Sequence, residues 1–453
     1  MEELFAYVDQ HFDRMVAELQ QFCAIRSVAD DRPGISAASD WVLNKLLALR
    51  ADVQVHSVPN GNPLIYGRLS GHAPKTVLFY NHYDVVPEGP IQEWHHIPFR
   101  PVVDGGKLYA RGVSDNKGGL TSRLHAVEAV LAVRGSLPCG VKFLVEGDEE
   151  VGSPSMKRFS KQHMGEFQNM LDAELCIWEN GRKDADGHPW ARFGVRATCT
   201  VELSVTTANK DAHARTGAEL PNAAWRLAWA LASLKDQQER ILIEGFYDDV
   251  QPTTEEDLEV LKAFPFDEQA YLQRMGLNSF LNHLTGLKLK ERIYMKPTLN
   301  ICGIESGEPH DGMRNIVPHT ARARLTFLMV PNQRAETVLT KLKLHLIRHG
   351  FSDVKVSSDS DGAPVRTPVT SPYREVLQRA ASRVYDKPLV TEITQVGSGP
   401  GYLLRDVNPN LPIIGIGPAN TGSNHHGPDE NLHLTDYKQA IKHVISLLYE
   451  MPG

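Results

Sequence analysis

Thiol patterns are scarce in this sequence of 453 residues. Its five cysteines are odd in number, widely scattered and never arranged as CxxC, so the sequence predicts neither a disulfide framework nor a thiolate zinc site. An excess of positive charge is also missing, because 48 Lys and Arg face 55 Asp and Glu, for a net charge of -7. This balance argues against nucleic acid or an anionic membrane surface as a partner.

Long apolar runs are absent as well. No segment runs long enough without charge to span a bilayer, and the acidic, helix-spaced amino terminus lacks the features of a signal peptide. Together with the unpaired cysteines, these absences predict a reducing, cytoplasmic location. The composition, with 42% hydrophobic and 23% charged residues, is that of an ordinary globular protein.

Several common site signatures are also missing. There is no GxSxG elbow of a serine hydrolase and no HExxH motif of a single-zinc peptidase. A calcium loop starting at Asp359 fails because its twelfth position is Thr370, where a bidentate acid is required.

Buried strands alternate with helices at both ends of the chain. Apolar runs at 76–80, 141–145 and 174–178 predict strands, and a helical stretch between the first two begins near Ser114 as a possible cap and ends at Gly135. The same alternation returns after residue 373. The fold class predicted from these patterns is α/β, with a mixed, mostly parallel sheet flanked by helices.

The middle of the chain has a different pattern. Residues 198–206 and 321–330 alternate between apolar and polar, which predicts half-exposed antiparallel strands. We therefore expect residues 1–195 and 365–453 to form one domain and residues 196–364 to form an inserted α+β domain.

Acidic residues and histidines follow the predicted buried strands. Parallel strands end at one edge of a sheet, where open α/β folds bind ligands, so these side chains are expected to meet there. Histidine and carboxylate ligands predict a site for two divalent ions. Zinc is the favoured metal, and cobalt or manganese are the alternatives. In chain order the candidates are His82 with Asp84, Asp115, Glu149 with Glu150, Glu179, and His425 or His426.

The sequence resembles the co-catalytic dinuclear zinc hydrolases that include acetylornithine deacetylase, succinyl-diaminopimelate desuccinylase, glutamate carboxypeptidase, aminoacylase and carnosine dipeptidase. The resemblance covers nearly the whole chain and is carried by the motifs at 82–87, 94–98 with 104–112, 114–119 and 146–153. It implies a zinc aminopeptidase-like catalytic domain with an inserted lid or dimerisation domain, and a homodimer.

The resemblance also implies a role for each candidate. Asp115 bridges both ions, His82 and Glu179 complete one site, and Glu150 with a carboxyl-terminal histidine completes the other. We choose His426, because the family's ligand histidine stands four residues before a glutamate, here Glu430. Asp84 is expected to orient His82, and Glu149 to act as the general base beside a metal-bridging hydroxide.

Further expectations concern the inserted domain and the substrate. The resemblance implies that His213 stabilises the oxyanion and that the segments containing Asn315 and Gly397, Ser398 and Gly399 contact the substrate. Dipeptidase or carboxypeptidase-type hydrolysis of a small peptide is the predicted function, and deacylation of an acyl amino acid is the alternative. A non-catalytic binding protein on the same fold is a minor alternative.

One position departs from the family pattern. Leu328 stands where peptidase relatives carry an arginine that pairs with the substrate carboxylate. Either Arg314, Arg322 or Arg324 replaces that arginine, or the substrate lacks a carboxylate at that end.

Overall fold

The chain forms two compact units in a computed structural model that describes residues 1–179, 181–307 and 315–451, without the side chains of residues 396 and 398. The first unit comprises Met1–Gly194, Arg366–Ile393 and Pro400–Gly453, and the second comprises Val195–Val365 and Thr394–Gly399. The second unit is therefore inserted into the first. It also contains the turn Thr394–Gly399, contrary to the expectation that residues 365–453 all belong to the first domain.

The first unit begins with an alternation of helices and strands. Its elements up to residue 194 are α1 (Glu2–Cys23), α2 (Arg32–Ala48), β1 (Asp52–His56), β2 (Leu64–Leu69), β3 (Gly71–His82), β4 (Val102–Asp104), β5 (Lys107–Tyr109), α3 (Gly118–Arg134), β6 (Leu137–Glu146), α4 (Pro154–Gln162), α5 (Met164–Met170), β7 (Leu175–Trp178), β8 (Arg182–Lys183) and β9 (Pro189–Arg192).

The inserted unit contains an antiparallel sheet and several helices. Its elements are β10 (Gly194–Thr206), β11 (Ala212–His213), α6 (Ala223–Leu234), α7 (Glu255–Ala263), α8 (Glu268–Met275), α9 (Gly286–Met295), β12 (Thr298–Ser306), β13 (Ile316–Val317), β14 (Thr320–Met329), α10 (Ala335–Arg348) and β15 (Lys355–Ser357).

The remaining elements return to the first unit, apart from β18 and the Val365 end of β16, which pairs with β10. They are β16 (Val365–Arg366), α11 (Tyr373–Ser382), β17 (Val390–Glu392), β18 (Gln395–Ser398), α12 (Gly401–Val407), β19 (Ile413–Gly415), β20 (Ala419–Asn420), β21 (Asn431–His433) and α13 (Leu434–Glu450).

The main sheet of the first unit is mixed, with a parallel centre. Its order is β1-β2-β6-β3-β7-β19-β9-β8-β20, with β17 beside β9. Strands β6, β3, β7 and β19 run parallel, whereas β1 and β2 pair antiparallel. Because β19 comes from the carboxyl-terminal part of the chain, both ends build this sheet. The residues that follow β3, β6 and β7 consequently lie at the same edge.

Burial explains why these segments form strands and helices. The apolar runs of β3, β6 and β7 are buried, and α1, α3 and α13 contribute apolar side chains to the same core. Helix α3 ends at Gly135 with a left-handed φ of 73°, as its sequence predicted. The predicted cap at Ser114 is wrong, because the helix begins at Gly118 and the Ser114 hydroxyl donates to Glu430 instead.

The second unit has its own core. Strands β10 and β14 pair antiparallel along their length, and β12 pairs with the other edge of β14. Alternate residues of β10 and β14 face helices α6 and α10 in an apolar cluster. The half-exposed strands predicted at 198–206 and 321–330 correspond to β10 and β14.

Within the described residues, no helix is both long and apolar enough to cross a bilayer.

Candidate metal centre

His82 stands at the end of β3, with its imidazole completely buried among acidic groups. Its Nδ1 lies 3.1 Å from the backbone oxygen of Asp84. Its Nε2 lies 3.1 Å from Oδ1 of Asp115 and 3.4 Å from Oε2 of Glu179. In the tautomer that donates from Nδ1 to this carbonyl, the Nε2 lone pair faces the two carboxylates, which is the arrangement of a metal-binding histidine.

The carboxylate of Asp84 mainly holds the turn that follows β6. Its Oδ1 accepts a hydrogen bond from the Glu149 amide at 3.2 Å, and its Oδ2 accepts one from the Glu150 amide at 3.0 Å. Oδ1 is also 3.5 Å from Nδ1 of His82, farther than the Asp84 carbonyl oxygen. Asp84 thus positions His82 through its backbone and the two glutamates through its side chain. The first interaction differs from the expected one, because the carbonyl is the closer acceptor.

Asp115 lies between two groups of candidate ligands. Its Oδ1 faces His82, whereas its Oδ2 lies 3.5 Å from Nε2 of His426. Nε2 of His426 is also 3.2 Å from Oε2 of Glu150. Nδ1 of His425 lies 3.5 Å from Asp115 Oδ2 as well, so the structure brings both neighbouring histidines to this carboxylate.

The backbone at His426 is strained. Its φ of 61° lies in the left-handed region, which costs a non-glycine residue about 1–2 kcal/mol. Such strain persists only where the surrounding structure imposes it, and it is typical of functional loops.

Glu149 lies within the same cluster as the other acids. Side-chain ligand atoms of His82, Glu149 and Glu150 lie within 4.8 Å of one another, and those of Asp115, Glu150 and His426 do the same. Glu150 belongs to both sets. The position of Glu149 is near enough for proton transfer to a group held between these side chains.

Burial and charge crowding raise the pKa values of three groups in the cluster. Burial raises the pKa of Glu149 to about 8, with the carboxylates of Glu150 and Asp115 acting in the same sense and His82 opposing. Burial likewise holds the pKa of Glu179 well above its ordinary value. Although burial disfavours its charged form, the surrounding carboxylates raise the pKa of His82. Separated pKa values in one cluster are typical of functional sites.

The residues present fit divalent cations. Glu150 Oε1 and Glu179 Oε2 are buried, and neither forms a hydrogen bond with any residue that the structure describes. Nor does any lysine or arginine of the described chain form an ion pair with Glu149, Glu150 or Glu179. Buried carboxylates need such compensation, and imidazole with carboxylate is a ligand set that zinc accepts.

A buried glutamate fixes the loop that carries Asp115. Oε1 of Glu430 accepts hydrogen bonds from the amides of Ser114 at 2.9 Å and Asp115 at 3.0 Å. Its Oε2 accepts from the amide of Gly112 and from Nη1 of Arg111, each at 2.8 Å. The glutamate four residues after His426 therefore positions the carboxylate between the two ligand groups.

The decisive comparison is with protein families. A model of peptidase family M20/M25/M40 matches residues 78–450, which include each of these side chains. The chain belongs to this family. Its members are metallopeptidases, so the protein is an enzyme that hydrolyses peptide bonds and binds divalent metal. The resemblance and the fold class inferred from the sequence are confirmed.

Curated relatives of this M20/M25/M40 peptidase match it from end to end. Beta-Ala-His dipeptidase of Rattus norvegicus is 27% identical, over all of this chain and 95% of its own length. Cys-Gly metallodipeptidase dug1 of Schizosaccharomyces pombe is 24% identical, over all of this chain and 98% of its own.

Solved structures agree on the fold. An M20 family metallo-carboxypeptidase from Sulfolobus solfataricus, 32% identical, superposes with a TM-score of 0.86 over 97% of this chain and 99% of its own. Human carnosine dipeptidase 1, 24% identical, superposes with a TM-score of 0.76 over all of this chain and 98% of its own, and it supports the fold alone.

The other candidate residues of this M20/M25/M40 peptidase lie in the second unit. Strands β11 and β13 pair His213 with Ile316, and the amide of Ala214 donates to the carbonyl of Asn315 at 2.8 Å. His213 and Asn315, about a hundred positions apart in sequence, are thus neighbours. His213 is exposed, and its Nδ1 accepts from the Arg215 amide at 3.2 Å.

The glycine-rich turn and the candidate arginines lie in the second unit as well. Gly397 and Ser398 belong to β18, which runs parallel to β10, and Gly399 follows it. The side chain of Ser398 is outside the described residues, and so is the whole of Arg314.

Leu328 itself is partly buried in the second unit and carries no charge. Nε of Arg324 lies 3.6 Å from Glu202, and Arg322 is exposed on the same strand.

A buried arginine beside the candidate ligands was not predicted from the sequence. Arg123 of α3 donates to Asn81 Oδ1 at 2.5 Å, and to the carbonyls of Trp178 at 2.6 Å and Glu179 at 3.2 Å. Asn116 Nδ2 donates to the same Glu179 carbonyl at 3.2 Å. These bonds connect the backbone beside three candidate ligands. The only sequence signal was an arginine on a helix face that is otherwise apolar and buried.

Proposed function

We propose that this enzyme binds two divalent cations, with zinc as the preferred metal, and uses them to hydrolyse dipeptides. His82 and Glu179 would hold one cation, Glu150 and His426 the other, and Asp115 both. The observation that carries this proposal is the position of Asp115, whose two oxygens face different groups of ligands at 3.1 and 3.5 Å. When bound, such cations supply Lewis-acid polarisation of the scissile carbonyl and a water of lowered pKa.

Glu149 is the proposed general base. Its side chain lies within 4.8 Å of candidate ligand atoms of His82 and Glu150, near enough to take up a proton from a group held there and to return it to the leaving amine. The Asp84 carboxylate holds its backbone at 3.2 Å, so the side chain starts from a fixed position. The carboxylate of Glu149 would carry the proton from the nucleophile to the leaving amine.

The second unit supplies the proposed substrate contacts. We assign oxyanion stabilisation to the imidazole of His213, because an exposed donor is free to reach a substrate. The amide of Asn315 and the backbone from Gly397 to Gly399 are the proposed contacts to the rest of the substrate.

A dipeptide is the proposed substrate because both curated relatives described above are named dipeptidases. Deacylation of acyl amino acids is the second candidate, and its substrates end in a carboxylate, as dipeptides do. The uncharged Leu328 cannot form the bidentate ion pair that recognises a substrate carboxylate.

The test combines a substrate panel with one substitution. Metal-loaded enzyme is assayed against dipeptides, acetylated amino acids and acylated anilides, and we expect turnover of dipeptides that disappears with a chelator and returns with zinc, cobalt or manganese. Glu149→Gln should keep its metal content and lose at least about a hundredfold in kcat. The exposed Glu375→Gln is the matched control. Near-native turnover of Glu149→Gln with metal bound would exclude Glu149 as the base, and a preference for acetylated amino acids would exclude the dipeptidase assignment.

We also propose a homodimer formed through the second unit. Trp225 and Trp229 on α6 stack at 5.9 Å, with 61% and 57% of their surface exposed, and such aromatic pairs are common at interfaces. Strand β12 is an edge strand, on which Ile304 is 62% exposed. Trp229→Glu should yield monomers in sedimentation velocity, and an unchanged sedimentation coefficient would contradict this interface.

A cytoplasmic location is proposed from the cysteines. The structure describes all five as free thiols, four of them buried, as expected for a reducing compartment.

A further inference from the structure

A cavity of about 550 Å³ lies within the second unit, between the helices of the segment 236–296 and the end of its sheet. This volume is that of a site for a small organic molecule. All residues that line the cavity belong to the second unit, and none of them is a candidate ligand of the metal centre.

One wall of the cavity is aromatic. The rings of Phe266, Tyr271 and Phe280 lie 5.6 to 6.2 Å apart, and all three are partly exposed toward the cavity. Leu289 and Leu328 add aliphatic surface. Leu328 is the residue that stands where related peptidases carry an arginine. The wall can therefore contact a bulky apolar group but cannot bind a charge at that position.

The charge on the cavity's lining comes from other side chains. The ammonium group of Lys235 is paired with the carboxylate of Glu239, and the guanidinium of Arg196 is buried and bound to backbone carbonyls such as those of Ile293 and Met329. Both groups are thus already occupied.

Arg292 differs from these two cations. It is only partly buried, and within the part of the chain that the structure describes its guanidinium makes one hydrogen bond, from Nη2 to the Glu239 carbonyl at 3.2 Å. The described residues give it no carboxylate partner. An arginine with free donors beside an apolar wall favours a ligand that carries a carboxylate, because guanidinium binds carboxylate in bidentate fashion.

We infer that this cavity binds a small carboxylate with a bulky apolar body, whose carboxylate pairs with Arg292 and whose body contacts the ring wall of Phe266, Tyr271 and Phe280. Two sources fit this chemistry: a free apolar acid, and the carboxyl-terminal residue of a peptide. The inference depends on the cavity alone and would hold even if the proposed dipeptidase activity were wrong.

The first test is calorimetric titration of the full-length protein with 4-phenylbutyrate, 4-phenylbutanamide and butyrate. We expect saturable binding of 4-phenylbutyrate, at least tenfold weaker binding of the amide, which lacks the charge, and at least tenfold weaker binding of butyrate, which lacks the ring. Equal affinities for acid and amide, or no binding of 4-phenylbutyrate, would overturn the inference.

Substitutions locate the site. Arg292→Gln should weaken binding of the acid about tenfold and leave the amide unchanged, whereas Arg240→Gln, the same change at an exposed arginine outside the cavity lining, should alter neither. Leu281 lines the cavity and is 60% exposed, so Leu281→Glu tolerates the new charge in the fold. It should weaken binding of the acid more than Leu281→Gln does. If Arg292→Gln and Leu281→Glu both bind the acid like the parent protein, the assignment fails.

Two further measurements distinguish a free acid from the terminus of a peptide, and both of these from a second copy of the chain. If 4-phenylbutyrate inhibits hydrolysis competitively, and Arg292→Gln raises KM for peptides ending in phenylalanine but not for their carboxyl-terminal amides, the occupant is the substrate's own terminus. Binding without any effect on KM identifies a free acid. If Arg292→Gln instead alters the sedimentation coefficient and 4-phenylbutyrate does not bind, the cavity is part of an interface between copies, and the inference is overturned.

Discussion

Replacing Glu430 by glutamine should destabilise the first unit strongly, because its carboxylate neutralises a buried arginine and collects several backbone amides. Arg111 and Glu430 each have about 1% of their side chain exposed, and Nη1 lies 2.8 Å from Oε2. In Glu430→Gln one carboxylate oxygen becomes an amide group, which cannot accept hydrogen bonds. If that group replaces Oε2, the Arg111 guanidinium and the Gly112 amide both lose their acceptor.

The magnitude follows from what Arg111 retains. Breaking a buried ion pair by removing one partner costs about 3–5 kcal/mol. Arg111 keeps the Gly427 carbonyl at 3.1 Å and the face of the Trp94 ring at 4.9 Å, so we expect the lower end, about 3 kcal/mol. The measurement is guanidinium chloride denaturation of metal-free protein followed by far-ultraviolet circular dichroism.

The control is the same substitution at a glutamate whose arginine partners are exposed. Glu450 also binds arginines, with Oε2 2.8 Å from Nε of Arg379 and Oε1 2.6 Å from Nη2 of Arg383, but both arginines are 50% exposed. Glu450→Gln should therefore cost no more than about 1 kcal/mol. The reasoning is refuted if Glu430→Gln costs no more than Glu450→Gln.

Three further outcomes are expected. Arg123→Met should weaken zinc binding at least tenfold in competition with a chelator, because the backbone beside His82 and Glu179 loses its common donor. Arg123→Lys should recover part of that affinity. Equal affinity of the parent protein and both variants would contradict this role. His443 is buried on α13, and burial lowers its pKa from 6.5 to about 4, so the folded chain binds this proton less readily than the unfolded chain does. The neutral His443 stabilises the fold fully above pH 6.5, and this contribution decreases by about 3 kcal/mol as the pH falls from 6.5 to 4. Between pH 4 and 7, the free energy of unfolding of His443→Gln should therefore depend less steeply on pH than that of the parent protein. An equally steep dependence in both proteins would contradict the assignment. Saturating zinc, at about a hundred times its dissociation constant, should stabilise the protein by about 2.7 kcal/mol, and Asp115→Ala, which removes the group between both ligand sets, should abolish the increase.

Sequence alone pointed to the edge of the sheet where the candidate site lies, because three groups of candidates follow buried strands, whereas Asp115 precedes helix α3. His82, Glu149 with Glu150, and Glu179 come after β3, β6 and β7, which the apolar runs had already identified. Chain topology then required those side chains to converge. Their individual roles stay predictions.

Contacts that depend on tertiary structure could not be read from the chain. Ser114 has the residue type of a helix cap, but the buried Glu430 carboxylate competes for its hydroxyl at 2.8 Å. His425 reaches Asp115 as closely as His426 does, and only the added contact with Glu150 distinguishes the two histidines. Arg123 was missed because its partners are carbonyls, which leave no sequence pattern.

The insertion of the second unit has a consequence for biosynthesis. Glu179 and His426 are 247 positions apart, so at 5–20 residues per second the ribosome needs roughly 12–50 s between these two ligands. For most of that interval β19 has not yet been made, and its place between β7 and β9 is open. The nascent chain therefore carries His82, Asp115 and Glu179, the proposed first ligand set, well before His426 can complete the second set with Glu150. A metal ion captured early must be retained, or exchanged, until β19 and His426 have been made.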